Sequence, residues 1–184
     1  MALILGLDVG GSTTKVVGFE DGKMLEGVTV KASDPIASAY AGLGRFLEIS
    51  GLRLTKIDKI MVTGVGSSYL GGDLFDIKTI LVGEFASVGL GGINLAGVPE
   101  AVVVSMGTGT SLVEARGSAV RHLIGSGVGG GTLLGLADRL INVTDFEMID
   151  HLTQKGQLEK VDLTVGELTQ KEIPGLTPNT TASN

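Results

Sequence analysis

The chain has 184 residues, no cysteine and a formal net charge of -6 at pH 7. The lack of cysteine excludes structural disulfides, Cys-ligated zinc and Cys-held iron-sulfur clusters, and the acidic balance argues against nucleic acid as a partner. Hydrophobic residues are 43% and aromatic residues only 4%, which predicts a folded chain with a core of Val, Ile, Leu and Ala. No apolar run is long enough for a membrane span and no secretory signal opens the chain, so we expect a cytoplasmic protein.

Three strands and a helix are predicted at the start of the chain. Residues 3–8, 14–20 and 24–31 read as strands, and the turn between the second and third has hairpin residues. Ser33-Asp34-Pro35 is typical of a helix start, with Pro in the first turn, and apolar residues keep helical spacing to about residue 50.

Two more strands and a second helix complete the first half. Residues 57–62 and 77–82 are apolar runs, and the first of them leads into a glycine-rich strand end at 63–67. Glu84 then opens a helix of small residues that reaches about Ala96.

The second half repeats this order of elements. It has three strand signals followed by helical patterns, and its tail from 173 to 184 reads as irregular because of its prolines and small polar residues. The predicted strands are 101–105, 111–115 and 119–124, and the predicted helices are 131–141, 145–156 and 161–168.

Both halves place a turn rich in Gly, Ser and Thr between their first two strands. The first turn follows Asp8, and the second follows Ser105. Backbone N–H groups in such turns bind phosphate oxygens closely, because glycine leaves room for the approach. Two turns that face each other would hold a polyphosphate, so the sequence predicts nucleotide-dependent phosphoryl transfer.

The duplicated strand-strand-strand-helix unit resembles the organisation of the actin, sugar-kinase and chaperone ATPases. This resemblance implies an α/β, actin-like ATPase (ribonuclease H-like) fold, with two subdomains and a nucleotide cleft between them. We expect residues 1–98 to form the N-terminal subdomain and residues 99–184 an incomplete C-terminal one.

Five blocks, which occur in order along nearly the whole chain, are similar to type II pantothenate kinases of the kind found in animals and staphylococci. The blocks are Asp8 to Lys15, Val82 to Phe85, Ser105 to Ser111, Gly125 to Leu136, and Ile173 to Leu176 together with Thr181 to Asn184. The resemblance implies phosphorylation of the small molecule pantothenate with ATP and Mg²⁺, the first step towards coenzyme A, by a homodimer. Neither nucleic acid nor a membrane is expected as a partner.

The chain departs from this family in two respects. Where family members often carry a substrate-holding Arg, seven residues before the triple glycine, this chain has His122, with Arg121 beside it. The family's chains also continue well past the Thr181 to Asn184 block. We therefore expect the sequence to be a fragment, a truncated product or one piece of a larger protein that is inactive alone.

The resemblance assigns roles to the residues of the turns. Asp8 at the end of the first strand would face Mg²⁺, and Lys15 would neutralise phosphate charge. The triple glycine at a helix start would present free N–H groups to an anion. The remaining cofactor-binding predictions are Gly10, Gly11, Ser12, Thr13, Gly107, Thr108, Gly109, Gly129, Gly130, Gly131 and Thr132, with Phe146 near the adenine.

Glu84 is the predicted general base. It stands where a strand end meets a helix start, from which a carboxylate reaches an acceptor hydroxyl. Together with Asp8 it makes up the predicted catalytic pair. Glu84, Ser105, Arg121 and His122 are the predicted substrate-binding residues.

Other readings of the same residues stay open. The chain could be another small-molecule kinase or ATPase of this fold, although activators of hydroxyacyl-CoA dehydratases need the cysteines that it lacks, and the sugar-binding pattern of N-acetylhexosamine kinases is not evident. It could also be a non-catalytic nucleotide-binding module. A last interpretation takes the glycine turns as simple packing features.

Overall fold

The computed structural model describes residues 2–31 and 34–182. Ser33 of the predicted helix start, and Ser183 and Asn184 of the last sequence block, lie outside the described residues. The chain packs as two compact units, the first reaching to Thr132 and the second beginning at Leu133. The mixed α/β architecture predicted from the sequence is confirmed.

The first sheet has the strand order β3-β2-β1-β5-β6, and β4 also pairs with β2. β1 runs antiparallel to β2 and parallel to β5, which in turn is parallel to β6. The carboxyl ends of β1, β5 and β6 therefore lie at one edge of this sheet. The strands are β1 Leu3–Val9, β2 Thr13–Glu20, β3 Lys23–Met24, β4 Val28–Lys31, β5 Ile57–Thr63 and β6 Thr79–Leu81.

Alternate side chains of β1 are buried and form part of the core beside the first sheet. Leu3, Leu5, Leu7 and Val9 are at most 2% exposed, and they face α1, which spans Pro35–Ser50. The Asp34 side chain caps α1 by accepting a hydrogen bond from the Ala37 N–H at 2.7 Å, as a helix N-cap should. The helix start predicted from the Asp-Pro pair is thus confirmed.

The predicted strand at 24–31 is interrupted. Leu25 continues the pairing with β2 by donating its N–H to the Gly18 carbonyl at 2.8 Å, and the register then shifts by one residue before β4, where Val16 pairs with Val28. Gly27 lies in this break, where a Cβ would come within 3.1 Å of the Val16 carbonyl oxygen. A close approach between backbones, invisible to local periodicity, therefore divides the strand.

The second sheet has the order β7-β8-β9, with antiparallel pairs. Its strands are β7 Glu100–Met106, β8 Thr110–Arg116 and β9 Ala119–Ser126. Helix α2, Glu84–Ala96, packs on one face of this sheet through its glycines. A Cβ at Gly89 would lie 3.0 Å from Val120, and one at Gly92 only 2.6 Å from Val103. The subdomain boundary expected after residue 98 stays a prediction. Helix α2 lies before this boundary in the sequence, but it packs on β7, β8 and β9, which come after the boundary.

The second unit contains short helices with capped starts. α3 begins in the first unit and spans Gly130–Ile141, α4 spans Phe146–Thr153, and α5 spans Val165–Leu168. The helix predicted from residue 161 starts later because Thr164 and Glu167 form a capping box at its N-terminus. Hydrogen bonds from the Thr164 N–H and hydroxyl lower the pKa of Glu167. In the described part of the chain, no helix combines the length and apolarity needed to cross a membrane.

Candidate functional site

The two glycine turns face each other within the first unit. Ser12 Oγ of the first turn lies 3.3 Å from Thr108 Oγ1 of the second. A Cβ at Gly11 would be 4.0 Å from the same Thr108 oxygen, so the backbone of the first turn is open towards the second. The approach of the turns that the sequence predicted is observed.

The first turn connects β1 and β2 tightly. The Gly10 N–H donates to the Thr13 carbonyl at 3.0 Å, and a Cβ at Gly10 would lie 2.8 Å from that same oxygen. Any larger residue at this position would break the turn. Gly11 and Ser12 are exposed at its tip.

Asp8 carries the carboxylate of this site. Lys15 stands opposite it on β2, with its Nζ 3.2 Å from Asp8 Oδ2. The side chains of Asp8 and Lys15 are 39% and 57% exposed, and such an exposed pair contributes only about 0–1 kcal/mol. A bound polyphosphate can therefore draw Lys15 away from Asp8 at little cost.

The carboxyl end of β5, a segment with no role in the sequence analysis, packs against Asp8. Gly64 follows β5 with φ of 89°, and a Cβ there would lie 2.5 Å from both Asp8 Oδ1 and the Val9 carbonyl oxygen. Thr63 is the register partner of Asp8 on β5. The signal that could have found this site is the glycine-rich pattern after the fourth predicted strand.

A cavity of about 300 Å³ opens beside the first turn. It lies between the first turn, the start of α1 and the short 3-10 helix Val65–Tyr69 that follows Gly64. Its lining residues are Gly10, Gly11, Asp34, Pro35, Val65, Gly66, Ser68 and Tyr69.

The triple glycine supports the second turn. The Gly130 N–H donates to the Gly107 carbonyl at 2.8 Å, and the Gly131 N–H donates to the Thr108 carbonyl at 3.0 Å. The expectation that these two N–H groups are free for an anion is therefore wrong, because the turn already uses them. A Cβ at Gly129 would lie 2.7 Å from the backbone of Gly109, so close packing also requires glycine there.

Thr132 is engaged in the same way. Its hydroxyl donates to the Gly127 carbonyl at 2.7 Å, and the Thr110 hydroxyl donates to the Val128 carbonyl at 2.8 Å. The 107–109 turn and the 127–132 segment thus hold each other in a fixed shape.

Glu84 is the first residue of α2, directly after the Gly83 N-cap, and its side chain is exposed. Because α2 follows β6, Glu84 starts from the edge of the first sheet at which the parallel strand β1 ends beside Asp8. Ligands of open α/β sheets bind at this carboxyl edge. Both predicted catalytic carboxylates therefore project from one edge of the sheet.

His122 and Arg121 are consecutive residues of β9 and therefore lie on opposite faces of the second sheet. His122 pairs with the buried Val113, and its ring stacks on Phe85 of α2 with centroids 4.1 Å apart and planes at 19°. Arg121 pairs with Glu114 and binds its Oε2 through Nη2 at 2.9 Å. Of the two, only His122 lies on the α2 face, next to the residue that follows Glu84.

Ser105 lies on the same face of the second sheet as His122. It is two residues from Val103 along β7, so both side chains are on the face where Val103 contacts Gly92 of α2. Ser105 also pairs with Ser111 on β8. Phe146 belongs to the second unit, where it is the first residue of α4 and 59% exposed.

A single carboxylate is the metal ligand that this site offers. No group of three or more His, Cys, Asp or Glu residues suited to a metal ion occurs among residues 2–31 and 34–182. Mg²⁺ commonly takes one or two carboxylates, and nucleotide phosphates and waters complete its shell. The exposed Asp8, beside Lys15 and the two hydroxyl-bearing turns, fits that donor set.

Comparison with known proteins finds that the chain is similar to type II pantothenate kinases. The Fumble family model matches residues 98–184. The type II pantothenate kinase of Staphylococcus haemolyticus is 29% identical over 98% of this chain and 65% of its own length. That of Bacillus cereus strain G9842 is 28% identical over 100% of this chain and 66% of its own length. The chain thus spans about two thirds of the length of these curated relatives.

Solved structures confirm the actin-like ATPase fold. Component A of (R)-2-hydroxyglutaryl-CoA dehydratase from Acidaminococcus fermentans matches 85% of this chain and 60% of its own, with a TM-score of 0.67 and 16% identity. The activator of 2-hydroxyisocaproyl-CoA dehydratase from Clostridium difficile, solved with bound ADPNP, matches 86% of this chain and 69% of its own, with a TM-score of 0.58 and 17% identity. At such identities the likeness concerns the fold alone.

Proposed function

Because this chain is related to the type II pantothenate kinases along its whole length, we propose that it transfers the γ-phosphoryl group of ATP to the hydroxyl of pantothenate. The observation that carries this proposal is the 3.3 Å approach of Ser12 and Thr108, which brings the two glycine turns together. Turns that meet in this way form the two sides of a phosphate-binding site.

Phosphoryl transfer depends mainly on positioning and on neutralising charge. The two turns would hold the phosphates through backbone N–H groups and the hydroxyls of Ser12 and Thr108. Lys15 would exchange its weak pair with Asp8 for the phosphate oxygens. Asp8 would hold Mg²⁺, which when bound neutralises the negative charge that the phosphates share.

Glu84 would accept the proton of the acceptor hydroxyl. Its carboxylate is exposed at the start of α2, at the edge from which Asp8 also projects. A general base must come within hydrogen-bond reach of the proton that it takes, and a helix start at this edge allows such an approach.

His122, and not Arg121, would contact the acceptor. His122 stacks on Phe85 beside Glu84, whereas Arg121 is paired with Glu114 on the other face of the sheet. Ser105 would join His122, because both lie on the α2 face. The cytoplasmic location and the homodimer expected from the family remain part of this proposal.

Calorimetric titration with ATP and Mg²⁺, followed by a phosphorylation assay on pantothenate, tests the proposal. We expect binding by the 184-residue chain and a loss of at least tenfold in affinity in Asp8→Asn. Arg121→Gln, on the other sheet face, is the matched control and should bind as the unsubstituted chain does. If the unsubstituted chain does not bind the nucleotide, the proposal fails.

The second candidate function is a nucleotide-binding module without turnover. It is favoured by the second sheet, where Val102 and Val104 are 52% and 50% exposed. Nucleotide binding with no phosphorylation of pantothenate would select this module over the kinase.

A further inference from the structure

Three neighbouring strands place Lys15, Asp8 and Thr63 side by side. Asp8 on β1 is the register partner of Lys15 on β2 and of Thr63 on β5. Directly paired residues of adjacent strands project from the same face of a sheet, with strands about 4.8 Å apart. We refer to these three residues as the polar row.

Each oxygen of the Asp8 carboxylate faces a different member of the polar row. Oδ2 binds Lys15 Nζ at 3.2 Å. Oδ1 lies towards β5, because a Cβ on Gly64 would come within 2.5 Å of it. The side of Asp8 away from Lys15 is therefore in contact with the chain that carries Thr63.

The Thr63 hydroxyl differs from that of Thr14, which is also enclosed in this sheet. Its Oγ1 is enclosed by protein and has no hydrogen-bond partner in the described part of the chain. Thr14, by contrast, is buried on β2 and its hydroxyl bonds to Ser38 Oγ at 2.9 Å. Enclosed hydroxyls without a partner are unfavourable in proteins, so each one needs an explanation.

We propose that Thr63 is a positioning residue for Asp8, and that its hydroxyl donates a hydrogen bond to the Asp8 carboxylate when a nucleotide draws Lys15 away. In the free protein Lys15 holds the carboxylate through Oδ2. Once the phosphates bind Lys15, the Thr63 hydroxyl replaces Lys15 as the hydrogen-bond donor to Asp8. This bond holds the Asp8 carboxylate in position for the cation. This inference rests on the proposed function and adds a residue that the sequence motifs did not assign.

The test compares Thr63→Val, which keeps the shape and removes the hydroxyl, with Thr63→Ser, which keeps the hydroxyl. Binding of a non-hydrolysable ATP analogue is titrated with Mg²⁺ and, separately, in excess chelator. We expect Thr63→Val to need at least about tenfold more Mg²⁺ for half-maximal binding, the effect of one hydrogen bond to a charged group. Thr63→Ser should stay within about twofold of the unsubstituted chain, and binding in chelator should be equal for all three.

Thermal unfolding without nucleotide separates positioning from a structural role. The free Thr63→Val protein should be no less stable than the unsubstituted chain, because the free-state hydroxyl has no bond to lose. Equal Mg²⁺ dependence of Thr63→Val and the unsubstituted chain, or equal weakening by Thr63→Val and Thr63→Ser, overturns this inference alone. No analogue binding by the unsubstituted chain overturns the proposed function and this inference together.

Discussion

β1 and β7 each lead into a similar glycine-rich turn, but the burial of their apolar side chains differs. In β1 the residues Leu5 and Leu7 are 0% and 1% exposed, whereas Val102 and Val104 of β7 are 52% and 50% exposed. β1 has strands on both sides, β2 and β5, and α1 over its apolar face. In the part of the chain that the structure describes, β7 pairs with β8 alone. The same local pattern thus yields a closed core in one sheet and an open face in the other.

The repeated unit therefore determines the turn itself, but not the packing that holds the turn in place. The first turn follows a strand that pairs on both sides, whereas the second turn is held by hydrogen bonds from Gly130 and Gly131 of the 127–132 segment. Local hydrogen bonds replace sheet packing there.

Removing β1 core volume should give the largest effect. Leu7→Ala should lower the free energy of unfolding by about 2–5 kcal/mol, because it leaves a cavity between the sheet and α1. Urea denaturation followed by circular dichroism measures the loss.

Val104→Ala is the matched change in β7, and it should cost under about 0.5 kcal/mol because its site is half exposed. Val9→Ala, which removes the same atoms from a fully buried site, should cost about 2 kcal/mol. Equal losses in Val9→Ala and Val104→Ala would contradict the contrast between the sheets.

The second sheet should nevertheless be sensitive on its α2 face. Gly92→Ala should destabilise by about 1–3 kcal/mol, because the new Cβ would meet Val103 at 2.6 Å. Gly91→Ala, one residue earlier in the same helix, meets nothing within 4 Å and should stabilise by up to about 1 kcal/mol. Thermal unfolding of the pair gives the difference, and similar values would show that α2 is not packed as described.

Helix α2 links the carboxyl edge of the first sheet to the packed face of the second, and Glu84 tests that link. Glu84→Gln should lower turnover at least tenfold while ATP affinity stays within about twofold, since only the proton acceptor is lost. The measurement pairs a phosphorylation assay with calorimetry on the same chain. Unchanged turnover would remove Glu84 from the mechanism.

The smallest expected effect lies in the second unit, outside both sheets. Hydrogen bonds from Thr164 hold the pKa of Glu167 below its usual range, so the carboxylate stabilises the folded state above its unfolded pKa. That contribution is lost as the pH falls through the folded pKa. Glu167→Gln should therefore unfold at a slightly lower temperature than the unsubstituted chain at pH 7, and the difference should shrink as the pH falls through the folded pKa. A difference that persists in acid would argue against the capping box.

Much of the candidate site followed from motifs, and the errors have identifiable causes. The turn positions and Asp8 and Glu84 at strand ends are local patterns, so the sequence located them. The free N–H groups expected of Gly130 and Gly131 are bonded to a turn more than twenty residues away, which no local pattern reveals.

The sequence alone predicted most of the strands, the turn residues and both ends of α2, since periodicity, caps and glycines act between neighbours in the chain. Helix α2 begins at the predicted Glu84 and ends at the predicted Ala96 for this reason. Tertiary structure alone decided which side chains meet. The packing of α2 on the second sheet determines that His122, and not Arg121, lies beside Phe85, and the β1–β5 register sets Thr63 beside Asp8, because both depend on contacts between distant parts of the chain.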